Sequence, residues 1–281
     1  MEKVTGVGRL RELVRQSRRE GRSVGFVPTM GALHEGHVSL VRRARAECGL
    51  VVVSIFVNPL QFAAGEDLQR YPRSPEEDAR LLADAGADIL YLPDAGQMYP
   101  PAFSTSVDVG GVSEGGEGAV RPGHFRGVAT VVAKLFQQVD PDVAYFGRKD
   151  LQQVAVVSRM VRDLDIPVRL VVGAIVRDAD GLALSSRNVY LSSEERLRAA
   201  ALPRALFEAQ TRASKGERDS GVIENGCRAD LERAGLRVDY VEIVDPATMR
   251  HCERIERGNA LTAAVRVGKT RLIDNVLLLE E

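Results

Sequence analysis

Cysteine, net charge and long apolar runs are all scarce in this chain of 281 residues. Its three cysteines, Cys48, Cys227 and Cys252, lie far apart and form no Cys-x-x-Cys pair, so neither a disulfide framework nor a cysteine zinc site is expected. The net charge of -1 argues against a cationic nucleic-acid binder or a polybasic membrane protein. The most continuous apolar run, residues 50–57, suits a buried strand and is too short to span a bilayer. The cysteine pattern fits a reducing cytoplasm, and the N-terminus has no apolar signal core, so we expect a cytoplasmic protein with neither a nucleic-acid nor a membrane partner.

The rest of the composition is that of an ordinary globular protein, with 44% hydrophobic and 27% charged residues. At ~100–200 residues per domain, this length predicts about two domains. Short apolar runs alternate with helical stretches through the first two-thirds of the chain, and the pattern changes after about residue 176. We therefore predict one domain over residues 1–175 and a second over residues 176–281.

The first region predicts an α/β fold. Strands are predicted at residues 24–27, 50–57, 89–92, 143–146 and 168–172, and helices at residues 38–48, 75–85, 128–139 and 151–162. Strands separated by helices favour right-handed crossovers, and hence a Rossmann-like parallel sheet with helices on both faces. Because ligands of such sheets bind beyond the carboxyl ends of the strands, the loops after Val27, Val57 and Phe146 are the first candidate sites.

Two local features of the first region also carry expectations. The segment 110–127, rich in glycine and charge, is interpreted as either a mobile lid or a surface excursion. The lid is favoured, because long loops in compact domains are usually functional or disordered. The helix at residues 75–85 is expected to be capped by Ser74, with Asp78 among the acids of its first turn.

The second region predicts a smaller α+β domain. Ser192-Ser193-Glu194-Glu195 is a capping-box pattern that opens a long helix to about residue 214, and another helix is predicted near residues 222–234. Strand-like runs follow at residues 238–244, 260–267 and 270–279. A tight hairpin at Gly268-Lys269 is expected to join the last two.

The strongest candidate site is the strand-to-helix junction at residues 28–37, which holds His34 and His37. A helix N-terminus gathers unpaired N–H groups and a partial positive charge, which suits phosphate. Imidazoles there can add hydrogen bonds or charge during phosphoryl transfer, and Gly31 and Gly36 permit close backbone approach. The alternative is a capped helix with solvent-facing histidines. A zinc site is less favoured, because His-Glu-Gly-His is not His-Glu-x-x-His and no third ligand is evident.

Further candidates are Gln61 and, in the segment 147–153, Lys149, Asp150 and Gln153. Gln61 follows the second strand and can both donate and accept, so it could orient a hydroxy acid or an amine. Lys149 could neutralise a phosphate, Asp150 could hold a ribose hydroxyl or Mg²⁺, and Gln153 faces the same direction one turn on. The alternatives are a solvated turn at Gln61 and an Asp-capped helix with solvated neighbours at Asp150.

The last candidate is Ser185-Ser186-Arg187, near the predicted domain junction. Two hydroxyls beside a guanidinium make a phosphate clamp. The alternative is a polar turn that precedes the Ser192 cap.

Taken together and in this order, these segments resemble the pantothenate synthetase (pantoate–β-alanine ligase) family of the nucleotidyltransferase superfamily, whose HIGH-type loop matches His34-Glu35-Gly36-His37. The resemblance runs from about Val24 to the end of the chain. It includes residues 28–37, 58–62, 71–73, 147–153, 185–188 and 264–275. Each segment alone is weakly specific, whereas the whole set is highly specific.

The resemblance implies a ligase that uses ATP and Mg²⁺ in two steps. The carboxylate of (R)-pantoate attacks the α-phosphate of ATP, giving pantoyl adenylate and pyrophosphate. The amine of β-alanine then attacks the activated acyl carbon, giving pantothenate and AMP. Because charge develops on the α-phosphate, the first step needs cations and hydrogen-bond donors rather than a covalent nucleophile. The family is usually a homodimer, so a homodimer is expected.

Matching motif positions imply the roles of single residues. His37 would be the proton donor, and His34 and Lys149 would act with it at the phosphates. Gln61 and Gln153 would hold pantoate, and Gln61 would also lie near β-alanine. ATP would be bound by Met30, Gly31, Ala32, Leu33, His34, Glu35, Gly36, His37, Gly147, Arg148, Lys149, Asp150, Val176, Leu184, Ser185, Ser186 and Arg187. Residues 1–175 would bind nucleotide and pantoate, and residues 176–281 would form a lid domain.

Two positions depart from the family pattern. Leu184 stands where methionine is common, and an apolar backbone-contact role survives that change. Arg148 stands where an acidic residue is common, which makes the local field more positive.

Two other functions stay open. One is a nucleotidyltransferase that leaves AMP on its product, such as a phosphopantetheine or nicotinate-mononucleotide adenylyltransferase. The two glutamines and the sizeable second domain argue against it. The other is a catalytically silent nucleotide-binding regulator on the same fold, against which His34, His37, Lys149 and Arg187 argue.

Overall fold

The structure is a computed structural model that describes residues 1–63 and 65–279. The helices are α1 (Val7–Arg19), α2 (Glu35–Glu47), α3 (Pro75–Asp84), α4 (Ala95–Met98), α5 (Gly116–Val120), α6 (His124–Val139), α7 (Leu151–Asp163), α8 (Ser193–Ala199), α9 (Ala201–Ser214) and α10 (Ser220–Arg233). The strands are β1 (Glu2–Val4), β2 (Val24–Thr29), β3 (Leu50–Ile55), β4 (Ile89–Tyr91), β5 (Val143–Gly147), β6 (Arg169–Gly173), β7 (Arg237–Val244), β8 (Ala260–Val267) and β9 (Thr270–Leu277). Short 3-10 helices occupy Pro59–Gln61, Arg148–Asp150 and Ser186–Tyr190.

Strands β1 to β6 form one parallel sheet in the order β1-β4-β3-β2-β5-β6. The chain winds from β2 through β3 to β4 on one side and then places β5 and β6 on the other. Neighbouring residues of β2 contact helices on opposite faces. Phe26 packs edge-on against Phe136 of α6, whereas Val27 belongs to the buried cluster that contains Val41 of α2. The predicted α/β fold with helices on both faces is therefore confirmed.

Two helices of the first region begin earlier than predicted. The helix expected at residues 38–48 begins at Glu35, because His34 is its N-cap. The helix expected at residue 128 begins at His124, directly after Gly123, whose φ of 81° turns the chain into the helix. These starts lack apolar periodicity, which is why the pattern missed them.

The segment 110–127, expected to be a loop, is partly helical. It contains α5 and the start of α6, and Gly116 and Glu117 are buried. Its interpretation as a mobile lid stays a prediction.

The second region contains a three-stranded antiparallel sheet in the order β7-β8-β9, which shares a buried core with α9 and α10. Val267 pairs with Thr270, so the two-residue hairpin is confirmed, and Gly268 within it has a φ of 57°. The smaller α+β domain is therefore confirmed as well.

The capping box before α8 is confirmed, but the single long helix is wrong. The Glu195 N–H donates to the Ser192 hydroxyl at 3.2 Å, and the Ser192 N–H donates to the Glu195 carboxylate at 3.0 Å. The helix stops at Ala199, and a second one, α9, starts at Ala201. Pro203 has no N–H to donate to the carbonyl of Ala199, so one continuous helix would lack that bond.

By its internal contacts the chain divides into two compact units. The first comprises residues 1–109, 121–148 and 156–174, and the second comprises residues 110–120, 149–155 and 175–281. The predicted range of the second domain, 176–281, therefore leaves out two short segments, 110–120 and 149–155, that lie in the second unit. Long-range bonds such as that of Glu117 to Arg271 hold these segments, and local patterns do not reveal such bonds. The functions assigned to the two ranges stay predictions.

Several elements were not predicted, namely β1, α1, α4 and α5. The first two place the N-terminus at the edge of the sheet, where β1 pairs with β4. Among residues 1–63 and 65–279, no helix has the length and apolar character needed to cross a membrane.

Candidate active site

The loop after β2 is shaped by a buried carboxylate. Asp78, on α3 and 2% exposed, accepts the backbone N–H groups of Ala32 and Leu33 at 2.9 and 2.8 Å. Gly31 and Ala32 have positive φ angles of 82° and 49°. A Cβ at Gly31 would lie 3.1 Å from the Asp78 carboxylate. The turn that leads into α2 therefore depends on a glycine at residue 31 and on two acceptors at residue 78.

His34 and His37 lie against each other at the start of α2, with ring centroids 4.1 Å apart. The backbone N–H of His34 donates to Nδ1 of His37 at 3.4 Å. Because Nδ1 accepts this bond, the neutral ring of His37 carries its proton on Nε2. Both rings are half-buried, whereas Glu35 is exposed and pairs with Arg42. The arrangement presents an N–H donor at the first turn of a 13-residue helix.

The side chain of Gln61 is fixed by a hydrogen-bond network of the first unit. Its amide oxygen accepts from Nδ2 of Asn58 at 3.0 Å, and its amide nitrogen lies 3.1 Å from the sulfur of Met30. Asn58 is 1% exposed and also donates to the carbonyl of Gly127 at 3.1 Å. A Cβ at Gly127 would lie 2.3 Å from the carbonyl oxygen of Leu60. Glycine at residue 127 thus lets α6 approach the backbone beside Gln61.

The backbone of Gln61 is fixed as well. Its carbonyl oxygen accepts from Nη2 of Arg121 at 3.2 Å and lies 2.9 Å from Nδ1 of His124. Arg121 also bonds Glu66 through two nitrogens, at 2.7 and 2.6 Å. Burial alone would raise the pKa of Glu66, but the hydrogen bond and charge of Arg121 bring that pKa below its ordinary value. This ion pair therefore supports one of the predicted substrate residues.

The sheet brings the two predicted phosphate segments of the first unit to one edge. Strands β2 and β5 are parallel neighbours, so Gly147 and Arg148 leave the sheet at the same edge as the loop of His34. Gly147 pairs with Gly173 of β6, and a Cβ at Gly173 would lie 2.3 Å from the side chain of Leu40. The position of these loops agrees with the expectation drawn from the strand pattern.

In the second unit, the candidates Lys149, Asp150 and Gln153 lie on one short segment. The ammonium of Lys149 is 3.6 Å from the carboxylate of Asp150. The carbonyl of Lys149 accepts from Nδ2 of Asn275 at 3.1 Å. Gln153 is half-buried in the first turn of α7. A residue of β9, 126 positions further along the chain, therefore holds the backbone of the segment at Lys149.

Its neighbour Gln152 is 7% exposed and binds the segment 110–120. The amide nitrogen donates to the carbonyls of Val112 and Gly115, and the amide oxygen accepts from the N–H of Glu117, all at 2.9 Å. Gln152 therefore has a structural role that is distinct from the role predicted for Gln153.

The remaining candidates lie at residues 176–187. The N–H of Leu184 donates to the carbonyl of Val176 at 2.9 Å, so these two residues face each other across a tight turn. Ser185 is the N-cap of the 3-10 helix that follows, and its hydroxyl accepts the N–H of Arg187 at 3.3 Å. Ser186 and Arg187 are half-buried. The segment thus enters a capped 3-10 helix, and its role as a phosphate clamp stays a prediction.

Sequence reasoning missed the residues that support the site. It expected Asp78 only as an acid of a first helical turn, and it expected Ser74 to cap that helix. Instead, the hydroxyl of Ser74 donates to the carboxylate of Asp78. Asn58 carried a weak sequence signal, because it precedes a proline in the segment 58–62 of the family resemblance. Arg121 and His124 carried none, since they lie in the aperiodic segment 110–127.

Comparison with known proteins identifies relatives along almost the whole chain. The family model described as pantoate-beta-alanine ligase matches residues 2–277. A pantothenate synthetase from Heliobacterium modesticaldum is 54% identical over 94% of each chain. The solved pantothenate synthetase from Thermus thermophilus has a TM-score of 0.95 at 49% identity, covering 99% of this chain and 100% of that one. A pantoate-beta-alanine ligase from Francisella tularensis, complexed with beta-gamma ATP and beta-alanine, has a TM-score of 0.82 at 33% identity, covering 99% of this chain and 98% of that one.

A parallel sheet with a glycine- and histidine-bearing loop at its carboxyl edge is an arrangement found in nucleotide-binding α/β enzymes. The family match, together with relatives that are 54% and 49% identical, shows which family the chain belongs to. The chain belongs to the pantoate–beta-alanine ligase family, and it is a ligase. The family resemblance drawn from the sequence motifs is confirmed.

Proposed function

We propose that the enzyme condenses (R)-pantoate with β-alanine through pantoyl adenylate. A carboxylate oxygen of pantoate forms a bond to the α-phosphorus of ATP, and the bond from that phosphorus to the bridging oxygen breaks, which releases pyrophosphate. The amine of β-alanine then bonds to the acyl carbon, the bond to AMP breaks, and the amine loses a proton. The products are pantothenate, AMP and pyrophosphate. Adenylation is needed because an oxide ion is a very poor leaving group.

The observation that carries this proposal is the geometry of residues 30–37. Asp78 holds the loop by two N–H groups, and the backbone of His34 occupies Nδ1 of His37. The neutral ring of His37 therefore carries its proton on Nε2 at a helix N-terminus, where a phosphate is favoured. A fixed donor of this kind stabilises charge that develops on phosphate oxygens without reorganising.

The other site residues take the roles that the family resemblance implies. Gln61 and Gln153 hold pantoate, and Gln61 also lies near β-alanine. His34 and Lys149 act with His37 on the phosphates. ATP is bound by Met30, Gly31, Ala32, Leu33, His34, Glu35, Gly36, His37, Gly147, Arg148, Lys149, Asp150, Val176, Leu184, Ser185, Ser186 and Arg187. Glu35 contributes through its backbone, because its side chain pairs with Arg42.

Mg²⁺ is proposed to enter with ATP. This ion usually keeps several waters and binds through one or two carboxylates plus substrate phosphates. Asp150 suits that role, because its carboxylate is 46% exposed beside Lys149. Among residues 1–63 and 65–279, no three His, Cys, Asp or Glu side chains are grouped as a metal site of their own. Bound Mg²⁺ would neutralise phosphate charge during adenylation.

The proposal is tested by following one oxygen atom. Pantoate labelled with ¹⁸O in its carboxylate is incubated with ATP, Mg²⁺ and β-alanine, and the phosphate products are analysed by mass spectrometry. We expect one labelled oxygen in AMP and none in pyrophosphate, with pantothenate and AMP formed in equal amounts. Omitting β-alanine should still give one turnover of pyrophosphate.

Other outcomes would assign a different reaction. Label in inorganic phosphate together with ADP would indicate an acyl phosphate instead of an adenylate. Pyrophosphate release without free AMP would indicate an adenylyltransferase. No release of pyrophosphate even in the complete mixture would indicate a silent nucleotide-binding protein.

Two further properties are proposed, a homodimer, which the family resemblance implies, and a cytoplasmic location, which the cysteine pattern favours. A chain of 30.6 kDa should then elute with about twice that mass in size-exclusion chromatography with light scattering. A mass equal to that of one chain would exclude the dimer at the concentration used.

A further inference from the structure

Strand β9 carries two adjacent buried polar residues that belong to the segment 264–275 of the family resemblance but have no role in the proposed chemistry. Asp274 and Asn275 are each 1% exposed. Both side chains are polar, and burying a carboxylate or an amide without hydrogen-bond partners is unfavourable. Their partners are therefore the main clue to why they are there.

Asp274 binds Arg177 through two parallel bonds, from Nη1 at 2.6 Å and from Nη2 at 3.0 Å. Burial raises the pKa of Asp274, and the charges of Arg177 and Lys149 oppose that rise. A bidentate arginine pair also fixes direction, because both planar groups must align.

Arg177 lies in the turn that joins two predicted ATP residues. It follows Val176, and it also donates to the carbonyl of Gly181 at 3.0 Å and to that of Asn275 at 3.3 Å. The turn closes where the N–H of Leu184 meets the carbonyl of Val176. Asp274 therefore fixes, through Arg177, the turn that carries Val176 and Leu184.

Asn275 reaches the other predicted segment. Its Nδ2 donates to the carbonyl of Lys149 at 3.1 Å, across 126 positions of sequence. Its own N–H donates to the carboxylate of Asp274 at 2.8 Å. The three residues Arg177, Asp274 and Asn275 form one connected group, which we call the β9 node, and the node bonds to both segments.

We propose that the β9 node is a positioning device, in which Asn275 sets the place of Lys149 and Asp274 sets the place of the turn at residues 176–184. The inference rests on the proposed function, because that function gives Lys149 its role at the phosphates. None of the three side chains is assigned contact with substrate. Their effect passes through the backbone segments they hold.

The first test measures local opening without any substrate. Hydrogen exchange of the amides at residues 149–155 is followed by mass spectrometry in the wild-type enzyme and in Asn275→Ala. Loss of one hydrogen bond to a backbone carbonyl should raise exchange in this segment about tenfold. Asn275→Ser, which keeps a shorter polar side chain, serves if the alanine variant folds poorly, and it should give a smaller rise.

Gln210→Ala is the matched control. Gln210 also donates its side-chain amide to a backbone carbonyl of β9, that of Leu277, at 2.6 Å. The control removes the same kind of bond from the same strand but from outside the node. It should leave exchange at residues 149–155 at the wild-type rate.

The second test is a double-mutant cycle on single-turnover pyrophosphate release. We expect Asn275→Ala to lower the rate about tenfold in the wild-type background. In a Lys149→Ala background the same change should lower it less than about twofold, because residues that act through one group are not additive.

The outcomes separate the inference from the proposed function. Unchanged exchange at residues 149–155, or an equal rise throughout the second unit, would overturn the positioning role. Equal rate losses in both backgrounds would overturn it as well. If the wild-type enzyme forms no pantothenate, the proposed function fails, and the exchange measurement still decides whether the node holds residues 149–155.

Discussion

In the first unit a buried carboxylate holds the histidine loop through backbone N–H groups, whereas in the second unit buried pairs of opposite charge hold residues 110–120 and the turn at residues 176–184. Asp78 accepts two N–H groups of the histidine loop, and Asn58 holds Gln61. In the second unit, Arg177 pairs with Asp274 and Arg271 with Glu117. Removing an acceptor of backbone N–H groups leaves a local defect, but removing one ion of a buried pair leaves a charge without its partner. Changes at Asp78 or His37 should therefore affect mainly rate, and breaking a buried ion pair of the second unit should affect mainly stability.

The largest expected effect comes from breaking the buried ion pairs of the second unit. In Arg271→Met, the carboxylates of Glu117 and Asp239, 7% and 8% exposed, lose the cation that they share. Removing one member of a buried pair costs about 3–5 kcal/mol, so the free energy of unfolding measured in urea should fall by that order. Arg80→Met, on the exposed face of α3, is the control and should change far less. Equal losses in the two variants would remove the contrast between buried and surface pairs.

His37→Ala should affect rate rather than stability. Removing one donor aimed at developing charge lowers a rate by about 10²–10³-fold. ATP binding should weaken much less, because the bond strengthens only in the transition state. Single-turnover pyrophosphate release at saturating ATP and pantoate measures this effect. His37→Gln tests the kind of donor, since glutamine can donate a hydrogen bond but cannot transfer a proton. Near-wild-type rates in both variants would take His37 out of the reaction.

Asp78→Asn tests whether the loop geometry matters for the reaction. The side chain keeps its shape, but one accepting oxygen becomes an NH₂ group that faces a backbone N–H. A buried donor left unpaired costs about 1–3 kcal/mol, and we expect pyrophosphate release to slow by roughly tenfold if that cost appears in the loop. Asp84→Asn, at the exposed end of the same helix, should have the wild-type rate. A slow control variant would mean that α3 as a whole, and not Asp78, governs the rate.

The smallest effect is expected from Glu66→Gln, and it depends on pH. Since Arg121 lowers the pKa of Glu66 in the folded state, this carboxylate stabilises the fold above its unfolded pKa of about 4.3. That contribution is lost as pH falls through the folded pKa. The wild-type enzyme should therefore exceed the variant in unfolding free energy by about 1 kcal/mol at pH 7. The gap should narrow below pH 4 in urea titrations. A gap that is constant with pH would assign the effect to packing, and Glu76→Gln on the surface controls for the loss of one charge.

The sheet and the position of the loops could be predicted because both depend on local pattern. β-branched runs such as residues 50–57 mark buried strands, and parallel topology then puts the following loops at one edge. The placing of His34 and His37 at a strand-to-helix junction could be predicted for the same reason, since a strand and a helix flank them. Element ends were less predictable, as at His124, where a glycine conformation and not periodicity starts the helix.

The supports of the site could not be predicted, because their partners are distant in sequence. Asp78 looks like any acid in a first helical turn, and only the folded chain brings it to Ala32. Asn275 is 126 positions from the carbonyl that it binds, and polar residues at such places have no periodic signature. Pro203 is a different case, because it interrupts the helix through a local effect. The break between α8 and α9 is therefore predictable from the sequence alone.

The division of the second unit into three stretches of chain also bears on its synthesis. The first unit has its last stretch once residue 174 has been made, whereas the stretches 110–120 and 149–155 belong with residues 175–281. Glu117 meets its cation only when Arg271 leaves the ribosome, and Lys149 meets Asn275 only a few residues later. The early-made segments of the second unit therefore gain these partners only when β9, the last strand that the structure describes, has been translated. In a ribosome-stalled chain that ends near residue 260, protease should cleave residues 110–120. In the released 281-residue chain, the same residues should resist cleavage.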